Sequence, residues 1–409
     1  MFTRRGVLLA GLAAPAVLPS RAARRGYSYV EIEKMIARGD VKGKLTRDDL
    51  PTPALLLDMD GFERNIARMT DHVKARKLAL RPHGKTHKCP EVARAMIKAG
   101  AVGACTAKIS EAEVFAEHGI GGLLITTGPV GKHRIERALR LARKQPDTIF
   151  SVDDRQNVQD LNEAAGQARV KLNLAIDLLV GQRTGIQGGE PALQLARLID
   201  SLPNLKLAGI QAYAGPSSHV TGFEQRRQHS IKSMTPAVET RRLIEKSGIE
   251  CGWLSGGSTG TYNIDSEIEG ITELQPGSFI FMDIDYNVIG GRDGEVYRDF
   301  ENSLTVLSTV FSKPSKDAAI VDAGLKSFAT DRKVGPEPKD VPGARYSWSG
   351  DEHGKLNLAA ASREVKLGDR LEFIVPHCDP TVNLYDHLYC LRGDNVEAVW
   401  KVAARGKNQ

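Results

Sequence analysis

Cysteine is sparse in this chain of 409 residues. Cys89, Cys105, Cys251, Cys378 and Cys390 are odd in number and scattered, so they form neither a disulfide framework nor a CxxC metal knuckle. No GxGxxG opens an early strand–helix unit, which counts against a dinucleotide-binding doubly wound sheet. There is no internal repeat and no low-complexity segment. The apolar run Val7 to Leu18 is too short to span a bilayer as a stable helix. A surplus of positive charge is missing too, once the first 25 residues are set aside. They hold Arg4, Arg5, Arg21, Arg24 and Arg25 and no acid, and taking those five from the formal +6 leaves +1. The body is nearly neutral and gives no reason to expect a nucleic-acid partner.

What is present is ordinary for a soluble globular protein, with 41% hydrophobic and 26% charged residues. A chain this long can bury a large core without disulfide staples. The first 25 residues read as an export signal: a basic start, the apolar run, then small residues around Ser20 to Ala23. Thr3-Arg4-Arg5-Gly6-Val7-Leu8 resembles a twin-arginine signal. A plain secretory signal or an uncleaved anchor is the other reading. The twin-arginine route carries folded proteins, often with cofactor already bound, and the unpaired cysteines suit folding in a reducing compartment. The mature protein is then expected in the periplasm, with no stable membrane anchor after signal removal.

After an N-terminal extension over 26–51, Thr52 to Asp58 reads as a strand and Asp60 as a helix cap, with Glu63 completing a capping box. Short apolar strands follow at 78–82, 102–106, 122–126, 148–152, 171–176, 207–212, 252–255 and 271–275. Helical stretches lie at 90–99, 110–118, 131–144, 155–167, 189–201 and 222–247. About eight such units predict a closed (βα)8 barrel over 52–300, whose functional groups sit at the C-terminal ends of the strands. From 301 to 409 the pattern changes to β-rich runs broken by Gly-Asp turns, which predicts a second, all-β domain.

The chemistry concentrates at strand ends. Arg81 to Lys88, RPHGKTHK, packs two lysines and two histidines into a loop after the strand at 78–82. Neighbouring cations lower a lysine pKa and free the amine to attack an aldehyde. A solvated basic loop is the plain alternative, and spacing alone does not choose Lys85 over Lys88. Ser255 to Thr261, SGGSTGT, follows a late strand; its glycines allow close backbone approach to an anion and its hydroxyls add donors. A reactive lysine beside a phosphate cradle suits pyridoxal phosphate. In PHCDPT, His377 and Asp379 would face one point while Cys378 turns away. Imidazole plus carboxylate suits a divalent metal, with positions left open. Gln211 and Tyr213 would share a face, and His219 and Arg183 lie in neighbouring loops.

RPHGKTHK, GQRTG, QAY, SGGSTG, DAGLKS, DEHG and PHCDPTVN, in that order from about Thr52 to about Gly406, resemble the D-threonine aldolase and D-serine dehydratase group. These are fold-type III pyridoxal-phosphate enzymes related to alanine racemase. The ending VEAVWKVAARGK is most similar to the hydroxyaspartate-cleaving members. The resemblance implies a homodimer with Lys85 as the Schiff-base lysine. It implies Gly256, Gly257, Ser258, Thr259 and Gly260 at the phosphate, and Tyr213 and Arg183 at the cofactor ring. His377 and Asp379 would hold the metal, and His219 would lie near the substrate hydroxyl and help a metal-bound water act as base. Dehydratases of the group carry His-x-Cys at the metal. Here a carboxylate takes that place, which favours Mn²⁺ or Mg²⁺, with Zn²⁺ possible.

The expected activity is cleavage of a 3-hydroxy-D-amino acid, of the D-threonine or 3-hydroxy-D-aspartate type, to glycine and an aldehyde. A D-serine or 3-hydroxy-D-aspartate dehydratase that releases ammonia and a 2-oxo acid is the second enzyme reading. A non-catalytic exported binding protein on the same fold is the reading from another class.

Overall fold

The computed structural model describes residues 26–181 and 183–409. The export-signal reading therefore lies outside the described residues. Ser28 caps helix α1 (Tyr29–Arg38) in a reciprocal box with Glu31. Its one fully buried residue, Ile32, packs with Val41, Leu45, Leu50 and Leu56. The extension expected over 26–51 is thus a packed helix and turn.

Strand β1 (Ala54–Asp58) leads into α2 (Met59–Ala75). The cap is Asp58, whose carboxylate accepts from the Asp60 N–H at 3.1 Å, rather than Asp60 itself. Strands and helices then alternate. They run β2 (Ala79–Leu80), α3 (Pro90–Lys98), β3 (Ala104–Thr106), α4 (Ile109–Glu117), β4 (Leu123–Ile125) and α5 (Lys132–Lys144). Next come β5 (Ile149–Val152), α6 (Arg155–Ala168), β6 (Leu172–Asp177), α7 (Glu190–Ser201), β7 (Leu205–Ala212) and α8 (Phe223–Lys246). The series ends with β8 (Leu254–Gly256), α9 (Tyr262–Asp265), β9 (Glu273–Leu274) and α10 (Ile284–Asn287). The strands are apolar runs too short for helices, and the helices carry one buried stripe each, so helices cover a parallel sheet. Strands β2 to β9 pair in parallel, in the order β2-β9-β8-β7-β6-β5-β4-β3. The ring closes where His83 bridges Cys105: Gly84 N–H donates to Cys105 O at 2.7 Å and Cys105 N–H to Pro82 O at 2.9 Å. The expected barrel is present.

Its interior is partly polar, and a central set of these groups pair with one another. Arg81 makes a two-pronged pair with Glu273, both bonds at 3.0 Å. Ser255 donates to Glu273 at 2.6 Å, and the Gln275 amide donates to Ser255 and Gln211, both at 2.7 Å. A buried network is stable only when its members are paired in this way.

The second sheet contains β10 (Leu304–Ser315), β11 (Ala318–Val321), β12 (Glu337–Pro338), β13 (Arg345–Trp348) and β14 (Gly354–Asn357). It continues with β15 (Arg370–Ile374), the short helix α11 (Cys378–Val382), β16 (His387–Arg392) and β17 (Asn395–Lys401). Its path is β13-β14-β11-β10-β1-β16-β17, with β15 on β10 and β12 on β15. Here the structure corrects the assignment of 52–58 to the barrel unit. β1 lies antiparallel to β10 and parallel to β16, inside the second sheet. Its residues Ala54 to Leu57 are all buried, as a central strand covered on both faces requires. One hydrophobic cluster runs through both units, from Leu57 and Met69 to Leu254, Leu371 and Val402. Among the described residues no helix is long and apolar enough to cross a membrane.

Candidate active site

The loop after β2 resolves the two lysines. Lys88 is buried and pairs with Glu111 at 2.5 Å and with the Asn408 side chain at 3.2 Å. Glu111 also accepts the N–H groups of Ala107 and Lys108, so this lysine belongs to a buried structural knot. Lys85 turns the other way, toward the second domain. Its Nζ is 2.5 Å from Asp379 Oδ2, and 40% of its side chain is exposed.

The cation crowding expected to lower the lysine pKa does not decide it. Loss of water disfavours the Lys85 ammonium, but the Asp379 carboxylate outweighs that, so Lys85 is held above the usual lysine range. The reverse holds across the contact. Burial works against the Asp379 carboxylate, yet Lys85 and then His377 keep it well below the usual carboxylate range. Asp379 is therefore ionised at any physiological pH. His83, in the same loop, is pushed well down by burial and then by Lys85, and stays neutral.

His377 and Asp379 do not sit on a strand as expected. β15 ends at Ile374, His377 caps α11, and Asp379 lies in its first turn. His377 Nδ1 meets Asp331 Oδ2 at 2.8 Å, which leaves Nε2 as the ring nitrogen open to an ion. One hard oxygen donor and one imidazole beside Lys85 fit a divalent ion as two protein ligands. Among the described residues no group of three or more His, Cys, Asp or Glu side chains forms a metal cluster.

His219 ends the turn after β7. Its Nδ1 is 3.1 Å from Asp285 Oδ2, to which Arg332 Nε also comes within 2.9 Å. Its ring lies 4.6 Å from that of Tyr286. Burial lowers the imidazole pKa to about 4 against the pull of Asp285, with Arg332 and His377 adding to the fall. The imidazole is therefore neutral at pH 7, and the same fall makes it a weaker proton acceptor than a free imidazole. Tyr213 follows β7 half-buried, and the Arg183 guanidinium lies 5.8 Å from its ring centre. Gln211 faces the barrel interior instead, bonded to Gln275.

The loop after β8 packs tightly against its neighbours. A Cβ on Gly256 would stand 2.2 Å from Ala212 O, and one on Gly260 2.0 Å from Ser218 O. The glycines are thus required by contact with other loops as well as by any anion. Behind them lies a chain of buried hydroxyls. Ser218 Oγ donates to Ser258 Oγ at 2.7 Å, Ser258 Oγ is 2.9 Å from Thr261 Oγ1, and Tyr286 OH is 3.1 Å from Ser218 Oγ. Hydroxyls and backbone amides at the C-terminal face of a barrel are the donor chemistry of a phosphate site. The donor set fits pyridoxal phosphate, with Lys85 as the amine.

Lys85, Tyr213, Ser258 and Asp379 thus come together at one end of the barrel. The DEHG motif does not join them: it lies in the turn between β13 and β14, where Glu352 pairs with exposed Lys326. Sequence reasoning missed Ser218, Asp285, Tyr286, Asp331 and Arg332. They sit in single helical turns or irregular segments too short to give a periodic signal, and only the folded contacts single them out.

The family domain described as "Alanine racemase, N-terminal domain" matches residues 57–285, and a serine dehydratase domain matches 303–391. The chain is 38% identical to the D-threonine aldolase of Arthrobacter sp, over 87% of this chain and 93% of that protein. It is 35% identical to the 3-hydroxy-D-aspartate aldolase of Paracoccus denitrificans, over 89% and 94%. The crystal structure of D-threonine aldolase from Filomicrobium marinum superposes with a TM-score of 0.84 at 36% identity, covering 88% of this chain and 98% of that one. Sequence along most of its length and shared fold place the chain in one group with these proteins: it belongs to the alanine racemase-like family that includes D-threonine aldolase and 3-hydroxy-D-aspartate aldolase.

Proposed function

We propose that the protein is a lyase that cleaves 3-hydroxy-D-amino acids between Cα and Cβ, using pyridoxal phosphate and a divalent metal. One observation carries the reading: the barrel's Lys85 and the second domain's Asp379 meet at 2.5 Å, with His377 beside them. An amine that can carry a cofactor and a hard donor pair that can hold a metal converge on one point. The names of the relatives support the same activity.

Lys85 would carry the cofactor. The hydroxyls of Ser258 and Thr259 and the backbone of Gly256, Gly257 and Gly260 would hold its phosphate, and Tyr213 and Arg183 would flank its ring. Bound pyridoxal phosphate supplies a covalent handle for the substrate amine and a sink for the electron pair released at Cα. A divalent ion on His377 and Asp379 supplies Lewis acidity toward the substrate hydroxyl. The oxygen-plus-imidazole pair favours Mn²⁺ or Mg²⁺ over Zn²⁺. His219, neutral at pH 7, accepts the proton of that hydroxyl, so the C–O bond can become a carbonyl as Cα–Cβ breaks. Asp285 stands 3.1 Å from Nδ1 as a counter-charge, and Nε2 is the nitrogen left to take the proton. A proton returned to Cα completes glycine.

The test is a product assay on holoenzyme with D-threonine and 3-hydroxy-D-aspartate, with and without chelator. Glycine plus an aldehyde, abolished by chelator and restored by Mn²⁺, is the expected result. Ammonia plus a 2-oxo acid would overturn the aldolase reading in favour of a dehydratase. Ligand binding with no turnover, and no cofactor on Lys85, would favour a binding protein.

A further inference from the structure

Arg226, in the first turn of α8, heads the largest fully buried side chains of the described structure, with 0% exposure. A buried arginine ordinarily pairs with a carboxylate. This one makes four hydrogen bonds, all to backbone carbonyls. Nε donates to Gly260 O at 2.8 Å, Nη1 to Val220 O at 2.9 Å and Ile289 O at 3.0 Å, and Nη2 to Gly290 O at 2.8 Å. The rings of Tyr297 and Phe223 lie 5.7 and 5.8 Å from the guanidinium carbon. Tyr297 in turn donates to Thr259 O at 2.6 Å.

Those carbonyls belong to three separate segments. Gly260 ends the loop carrying Ser258 and Thr259. Val220 ends the turn carrying Ser218 and His219. Ile289 and Gly290 follow α10, which carries Asp285 and Tyr286. One rigid planar fork thus ties together three of the segments that build the barrel's half of the site. Carbonyl dipoles satisfy its donors without cancelling its charge, and a dipole's field falls off faster than a charge's. The guanidinium charge thus stands behind the 256–260 loop with no hydrogen-bonded carboxylate, in a region of low dielectric where Asp299 also acts on it.

We propose that Arg226 is the positioning residue of this loop: it locks the three segments together and supplies the positive charge that favours a dianionic phosphate there. The proposal rests on the reading of 256–260 as the phosphate site. The experiment compares pyridoxal phosphate with pyridoxal, which has the same aldehyde and ring but no phosphate. Each is titrated into cofactor-free protein, and binding is followed by the absorbance of the lysine-bound form.

The ratio of the two affinities should fall by about tenfold in Arg226→Gln, which keeps donors and loses charge. It should fall by about threefold in Arg226→Lys, which keeps charge and loses the fork. Affinity for pyridoxal itself should move by less than about twofold in both, given that the phosphate is the only group that differs. Loosened packing alone would weaken both ligands together and leave the ratio unchanged. An unchanged ratio in either folded variant overturns the proposal, and Arg226→Lys carries the test alone if Arg226→Gln does not fold. A wild-type protein with no preference for the phosphorylated form would instead overturn the reading of the loop.

Discussion

Two lysines of one octapeptide have opposite fates. Lys88 and Glu111 are both under about a tenth exposed, at 7% and 3%, and each answers the other's charge. Removing one member of such a pair strands a buried ion. Glu111 keeps two backbone donors, which softens the loss. Lys88→Met should therefore cost about 2–4 kcal/mol of stability while leaving the absorbance of lysine-bound cofactor in place. Lys85 sits at an open mouth, and Lys85→Ala should keep the melting temperature within a few degrees and abolish that absorbance. Denaturant melts and spectra of the two variants separate the roles. A Lys85→Ala protein that still showed lysine-bound cofactor would move the reactive amine elsewhere. The octapeptide itself marks the place; which lysine turns inward depends on Glu111, in a helix that the loop meets only after folding.

At the scale of elements, the loop between β8 and α9 is braced from behind by Asp265. Thr261 donates to its Oδ2 at 2.5 Å and Ser230 to its Oδ1 at 2.6 Å, and Thr261 in turn meets Ser258. Burial raises the Asp265 pKa from 3.8 to about 6, although both hydroxyl bonds pull it down. The folded protein therefore holds this proton more tightly than the unfolded chain does. Its contribution is fully present below pH 4 and is lost as pH rises through 6. A shift of two units corresponds to about 3 kcal/mol at most. Asp265→Asn removes that slope. In cofactor-free protein without phosphate, the stability of wild type minus variant should fall between pH 4.5 and 7 and then level off. A difference that stayed flat across that range would mean that the carboxyl is not raised.

The same elements show what a sequence can carry. Helices α3 to α8 and strands β2 to β9 are local and periodic, and they fall within a few residues of where periodicity puts them. The apolar run of β1 looks the same whether its partners are barrel strands or the second sheet. Its pairing with β10 and β16 depends on segments some 250 and 330 residues away. His377-x-Asp379 was legible as a donor pair by its chemistry. Its backbone was not, because a short helix opened by His377 follows a strand-like run with no change of composition. Arg226 is one of several charges at the start of α8, and only the closure of three loops around it makes it different.

Two architectures share one core across the described residues. β1 is donated by the chain before the barrel to the centre of the second sheet, and a single hydrophobic cluster crosses between them. The site repeats the arrangement: Lys85, Ser258 and His219 come from the barrel, Asp379 and His377 from the other side. The Lys88 carbonyl accepts from the Ala404 N–H at 2.9 Å, so the lysine loop also leans on the turn that follows β17. Destabilising the second sheet should therefore unfold the barrel with it. Leu371 lies on β15, fully buried in the shared cluster and far in sequence from every barrel strand. Leu371→Ala should cost about 2–4 kcal/mol. Calorimetry should still show one transition, with equal calorimetric and van't Hoff enthalpies. The absorbance of lysine-bound cofactor should disappear at the same lowered temperature as the helical signal of the barrel. Two separated transitions, with the cofactor signal following the later one, would mean that the barrel holds its site without the second sheet and that the contact between Lys85 and Asp379 forms only after each half has folded.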